Sequence, residues 1–164
     1  MQFSLKDNIS IIKKVKVERK KIVFTNGCFD LLHVGHIRYL AQAKKLGDFL
    51  IIGLNSDSSV KALKGKDRPI NSFEDRAVLL SALTSVDLVI IFEELTPENL
   101  IKEIVPDVLV KGGDYNIEDI VGFQTVIQNG GLVKSLSFYD GYSTTNYICL
   151  LYTSDAADEL RSVD

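Results

Sequence analysis

A chain of 164 residues, 46% hydrophobic and 25% charged, is long enough to bury one sizeable core and too short for two comfortable ones. Its net charge of -3 is carried by residues 149–164, where Asp155, Asp158, Glu159 and Asp164 face only Arg161, so the body is neutral and nucleic-acid binding through a broad basic surface is excluded. No run approaches the ~20 apolar residues of a membrane helix, and the charged N-terminus MQFSLKDNISIIKKVKVERKK is unlike a signal peptide. The two cysteines, Cys28 and Cys149, lie far apart and outside any CxxC pair, so the expectation is a cytoplasmic protein with reduced thiols and neither membrane nor nucleic acid as partner.

In chain order, an amphipathic helix is expected over Leu5 to Val17, within an N-terminal extension of residues 1–19. Short β-branched or apolar runs then recur: KIVFT (Lys21 to Thr25), DFLIIGL (Asp48 to Leu54), VDLVIIF (Val86 to Phe92), DVLVK (Asp107 to Lys111) and GLVKSL (Gly131 to Leu136). These read as buried strands. Between them helices are expected at Gly35 to Leu46, Ser56 to Leu63, Phe73 to Leu83, Pro97 to Ile104 and Ile117 to Gln128, with Thr96 as N-cap of the fourth and Pro97 at its first position. Alternation of this kind calls for a parallel sheet covered by helices on both faces and joined by right-handed crossovers. The expected fold is α/β: a Rossmann-like, doubly wound, five-stranded parallel sheet of order 3-2-1-4-5 with an extra N-terminal helix.

The domain is expected to occupy residues 1–148. Residues 149–164 read differently from the rest. The codons TGT CTC TTA TAC ACA TCT GAC GCT GCC GAC, part of a widely used transposase sequencing adapter, encode the residues from Cys149 to Asp158 one for one, so this tail is expected to be adapter-encoded and is left out of fold reasoning.

Ligands of such sheets bind outside the carboxyl ends of the strands, where strand order reverses. The segment TNGCFDLLHVGH (Thr25 to His36) leaves the first strand there, and VKGGDY (Val110 to Tyr115) leaves the fourth. With order 3-2-1-4-5 the two loops are neighbours, and one cleft is lined by Asn26, Gly27, Asp30, His33, His36, Lys111, Gly112, Gly113 and Asp114. Asn26-Gly27 is expected to turn sharply, and the helix near Gly35 aims N–H groups at whatever lies before it, which describes a phosphate site. It is neither a Walker A loop nor GxGxxG. His33 and His36 flank Gly35, so both rings can face one phosphate and stabilise the added charge of a five-coordinate transition state. For His36 alone the competing reading is a satisfied core histidine on the face of Leu40. A zinc site from His33, His36 and Cys28 lacks a fourth ligand.

HVGH after NGCFD resembles the HxGH signature of the nucleotidyltransferase superfamily. The later segments LNSDSSVKALKGKDRPIN, FEDR, DVLVKGGDY and GYSTTN resemble the heptose 1-phosphate adenylyltransferases of ADP-heptose synthesis, found alone or as the C-terminal half of a bifunctional kinase/adenylyltransferase. The likeness covers about Lys20 to Ile148. It implies transfer of AMP from ATP to D-glycero-β-D-manno-heptose 1-phosphate, with pyrophosphate released, on the way to the lipopolysaccharide core. It also implies that His33 and His36 hold the α-phosphate, that the backbone of Asn26, Gly27, Cys28 and Phe29 lines the nucleotide cleft, and that Lys64 and Lys66 close over the triphosphate. Ser143 and Thr144 are implied to contact the triphosphate, against an ordinary N-cap; Arg76 either reaches a phosphate or caps its helix. Mg²⁺ arrives with ATP, near Asp30, since no cluster makes a dedicated metal site. Cys28 is a small loop-lining residue. The same reading leaves room for a homo-oligomer and for a heptose kinase, separate or fused.

Two rivals are carried beside this reading. Glycerol-3-phosphate cytidylyltransferase shares the first motif and an STT ending, but has an arginine shortly before STT where this chain has Phe138 and Tyr139. A non-catalytic nucleotide-binding module would be expected to lose a histidine or the lysine loop, and this chain keeps both.

Overall fold

A computed structural model describes residues 3–137; Ser143, Thr144 and the tail 149–164 lie outside the described residues. Helix α1 (Leu5–Val17) is followed by β1 (Ile22–Gly27), α2 (Val34–Lys44), β2 (Phe49–Asn55), α3 (Asp57–Lys64), α4 (Phe73–Ser81), β3 (Leu88–Phe92), α5 (Glu98–Ile104), β4 (Val108–Gly112), a 3₁₀ turn (Ile117–Asp119), α6 (Phe123–Gln128) and β5 (Leu132–Leu136). The strands form one sheet in the order β3-β2-β1-β4-β5, every pair parallel. This is the doubly wound, Rossmann-like topology expected from the sequence, with β1 at its centre.

Alternation along each strand divides the core in two. Ile22, Phe24, Ile51, Ile90 and Leu109 face α1, α5 and α6, where they meet Ile12, Val15, Ile101, Ile104 and Val126. Val23, Leu50, Ile52, Val89, Val108 and Val110 face the other way, onto Tyr39, Leu40 and Ala43 of α2 and Ala77 and Leu80 of α4. The N-terminal helix therefore covers the sheet through Ile12 and Val15, both buried. Gly53 is required by close approach: a Cβ there would lie 2.7 Å from Cζ of Phe24, which is itself fully buried.

Serines open three of the helices, Ser4, Ser56 and Ser72 accepting from the backbone N–H of Asp7, Ser59 and Asp75. Many element ends differ from the sequence expectation by a residue or two, and three further differences concern a cap, a break and a turn. Helix α5 begins at Glu98, so Pro97 rather than Thr96 is its N-cap, and it offers no side-chain bond. The helix expected over Ile117 to Gln128 is broken into the 3₁₀ turn and α6, because Gly122 takes φ +92 and a Cβ there would lie 2.6 Å from the Ile101 side chain. Strand β1 runs through Asn26 and Gly27, paired with Gly53 and Leu54, instead of turning there.

Candidate active site at the carboxyl ends of the strands

Because β2 keeps pairing to the end of β1, the chain turns later than expected, at Phe29, a non-glycine residue with φ 44. A left-handed phenylalanine is uncommon and costs ~1 kcal/mol or more, so the surrounding contacts must hold it. Those contacts are clear. The Phe29 ring stands edge-on to His36, centroids 5.2 Å apart, and lies so close over Gly27 that a Cβ at that position would come within 3.0 Å of it. Gly27 is thus needed for the ring above it rather than for a turn.

Helix α2 starts at Val34 with His33 as its N-cap, Nδ1 accepting from the His36 N–H at 3.4 Å. That bond assigns the neutral His33 ring as the Nε2–H tautomer, a donor. One helical turn on, His36 lays its ring against that of His33, centroids 3.8 Å apart and planes 20° from parallel, with Gly35 between them in the chain. Burial, then the neighbouring His33, pushes the His36 imidazole down to about 4, while its bond to the Leu31 backbone acts the other way. Burial lowers His33 as well. Two stacked imidazolium ions would repel, so both rings are neutral at pH 7. His36 Nδ1 is buried with no hydrogen-bond partner. Leaving such an atom unsatisfied costs ~1–3 kcal/mol.

From the β4 side, Lys111 sends Nζ to Asn26 Oδ1, 3.2 Å away. Gly113 (φ +118) turns the chain beyond it and donates to the Leu136 carbonyl; Gly112 is buried, and Asp114 is exposed. Lys64 ends α3 on the far side, exposed, yet its charge acts on both Cys28 and Lys111. Lys66 is exposed one residue beyond Gly65. Cys28 has its thiol pushed up by burial, against the pull of Lys64 and Arg76; it is not a thiolate nucleophile. Asn26, Cys28, Lys64 and Lys111 are thus linked by a hydrogen bond and by their charges at the carboxyl ends of β1 and β4, and the stacked His33 and His36 follow β1 in the chain.

Two expected ligand contacts are committed elsewhere. Arg76 is fully buried on α4 and donates to the carbonyls of Asn71, Cys28 and Asn55 and to Asp57 Oδ1. Its guanidinium is taken up by these protein acceptors, and it joins the loops after β1 and β2. Asp30 is 2% exposed, with Oδ2 accepting from Arg68 Nε at 2.5 Å and Oδ1 accepting from the N–H groups of Ile70 and Asn71. Its carboxylate is therefore engaged by protein donors rather than offered to a metal. Sequence reading missed Arg68 and Asn71; the signal available was that a buried carboxylate beside a loop needs a cation and N–H donors to hold it. Tyr39 was missed too: its hydroxyl lies 2.6 Å from Thr25 Oγ1 and donates to Val110 O, bracing α2 against β1 and β4. Among the described residues no group of three or more His, Cys, Asp or Glu is placed to hold a metal ion, and no helix is long and apolar enough to cross a membrane.

A five-stranded Rossmann-like sheet with a histidine pair over the end of its central strand defines a domain of the nucleotidyltransferase type. The chain belongs to the cytidylyltransferase-like family, whose model matches residues 24–150. It is 61% identical over 136 residues to the bifunctional protein HldE of Haemophilus ducreyi, covering 83% of this chain and 29% of that protein. To the bifunctional protein HldE of Geobacter sulfurreducens it is 53% identical over 138 residues, covering 84% and 28%. The chain spans less than a third of the length of these relatives. Among solved structures, the lipopolysaccharide core biosynthesis protein of Thermoplasma volcanium is similar at 31% identity and TM-score 0.61, over 76% of this chain and 99% of that one. The pantoate-beta-alanine ligase of Francisella tularensis, at 14% identity and TM-score 0.58 over 83% of this chain and 66% of that one, shares the fold alone.

Proposed function

We propose that this domain is an adenylyltransferase that moves AMP from ATP to D-glycero-β-D-manno-heptose 1-phosphate, giving ADP-heptose and pyrophosphate for lipopolysaccharide core synthesis. The observation that carries the reaction type is the stacked pair His33 and His36, with an unpartnered buried nitrogen, at the end of the central strand. The choice of substrates is supported by the relatives and by the segments LVKGGDY and GYSTTN.

In this reading an oxygen of the sugar phosphate attacks the α-phosphorus of ATP as the bond to the bridging oxygen of the β-phosphate breaks, and pyrophosphate leaves in line. The attacking oxygen is already ionised at neutral pH, so no strong base is needed; the protein orients the groups and neutralises charge. His33 donates from Nε2, and His36 takes up a proton as the phosphates approach and donates from Nδ1. Lys64, Lys66 and Lys111 meet the anionic oxygens, while Asn26, Gly27, Cys28, Phe29, Gly35, Gly112, Gly113 and Asp114 line the nucleotide path. Ser143 and Thr144 are proposed as triphosphate contacts on the resemblance alone. Mg²⁺ is proposed to enter bound to the ATP phosphates, an arrangement that asks for few protein ligands. The bifunctional relatives support a heptose kinase, fused or separate, as the source of the acceptor, and a cytoplasmic setting goes with such substrates.

The test is a matrix of ATP or CTP against heptose 1-phosphate or glycerol 3-phosphate, with Mg²⁺ and products identified by mass. ADP-heptose alone is expected. CDP-glycerol at a comparable rate would replace this assignment with a cytidylyltransferase, and no product from any pair would favour a non-catalytic nucleotide-binding module.

A further inference from the structure

Asp30 stands three residues before His33 in the chain, but its bonds run to another loop. Its carboxylate takes Arg68 Nε and the N–H groups of Ile70 and Asn71, and its carbonyl takes Asn71 Nδ2 at 3.0 Å. Arg68 has a side chain 18% exposed against 2% for Asp30, so the ion pair is largely shielded from water. A carboxylate so placed is held only by good geometry with its donors. The segment it grips is otherwise loosely held. Residues from Gly65 to Asp67, beyond the end of α3, are exposed, Gly65 takes φ +102 with nothing within 4 Å of its Cβ position, and one backbone bond, Arg68 N–H to Gly65 O, closes the turn that follows the helix. The clasp continues inward: Asn71 O accepts from Arg76, which also donates to Cys28 O, two residues before Asp30.

We infer that Asp30 is a positioning residue that latches the loop which follows Lys64 at the end of α3 and carries Lys66 onto the loop carrying His33, so that the two sets of phosphate contacts are held in one register. This rests on the proposed role of those lysines; what it adds is that Asp30 acts through Arg68 and the loop, and does not touch nucleotide or metal. The charge of Lys64 already acts at Cys28 and Lys111 across the cleft, so a shift of this loop changes the field where phosphate binds.

The test uses the 164-residue chain, with Arg68→Gln as the main variant and Asp30→Asn beside it, because neutralising the buried partner carries the greater risk of unfolding. Pyrophosphate binding is measured by calorimetry, and the rate of trypsin cleavage after Lys64 and Lys66 is followed by mass. Arg68→Gln is expected to weaken pyrophosphate binding at least tenfold and to speed cleavage at least fivefold. In a chain carrying both Lys64→Ala and Lys66→Ala the same change should weaken binding less than twofold further, because the latch acts through these two lysines. Unchanged binding in Arg68→Gln, or a full tenfold penalty on top of the paired Lys64→Ala and Lys66→Ala changes, would overturn the inference. Neither readout needs turnover. A chain that binds pyrophosphate and shows this pattern but forms no ADP-heptose keeps the latch and loses the proposed reaction; a wild-type chain that binds no pyrophosphate loses both.

Discussion

Lys111 Nζ reaches from the end of β4 to Asn26 Oδ1 at the end of β1, 3.2 Å away, so a half-buried cation is held by a neutral amide. Among the described residues no carboxylate lies within ion-pair distance of it. Burial depresses its pKa, Cys28 raises it and Lys64 depresses it further. A cation without an anion, facing a second cation across the cleft, favours an anionic ligand. Lys111→Met should therefore leave the melting temperature of the empty protein unchanged or raise it, while ATP binding falls at least tenfold. Calorimetry of both proteins checks this; a clear loss of melting temperature with ATP binding intact would make Lys111 a structural residue.

Loss of His36 should act on the chemical step. His36 Nδ1 has no protein partner, so His36→Ala removes a group that the proposed reaction uses only with ligand bound, and kcat is expected to fall by ~100-fold or more, as for other single transition-state donors. Circular dichroism should show the fold retained. If the variant unfolds, or works at near wild-type rate, the histidine belongs to the core.

The pH dependence of stability has a defined sign. His36 sits at about 4 in the folded chain against an ordinary value of 6.5, so between these values the unfolded chain binds the extra proton. The stability contributed by the neutral ring is thus present above pH 6.5 and is lost as pH falls toward 4, below which this group adds no further slope. Urea melts at pH 7, 5.5 and 4.5 should show a smaller fall for His36→Gln than for the wild type. Pyrophosphate should move the His36 titration upward, readable from its ring proton shifts by NMR.

Arg76→Met tests the frame beneath the cleft. It strands the carbonyls of Asn71, Cys28 and Asn55, which receive guanidinium bonds in part-buried settings at the first two and a buried one at Asn55. At ~1–3 kcal/mol for each unsatisfied group, the unfolding free energy should fall by at least ~3 kcal/mol. A denaturant titration showing a loss under ~1 kcal/mol would mean that the loops stand without it.

The sheet order and its two-faced core follow from local information: five β-branched runs alternating with helical stretches leave little other topology, and alternation within each run assigns Phe24 and Ile51 to one face and Val23 and Ile52 to the other. The histidine pair was legible too, because HVGH at an expected helix start sets two rings either side of Gly35, and the structure stacks them with His33 as the N-cap. What the sequence could not determine is where side chains end when their partners are remote in the chain. Arg76 is 48 residues from Cys28 and Asp30 is 38 from Arg68, so neither spacing carries a signal, and both residues read as ligand contacts until the fold brought carbonyls and a guanidinium to them. The turn at Phe29 was decided the same way. Asn26-Gly27 has the local chemistry of a turn, but β2 supplies the hydrogen bonds that keep it extended, and tertiary pairing outweighs local preference wherever burial makes an unpaired backbone group costly.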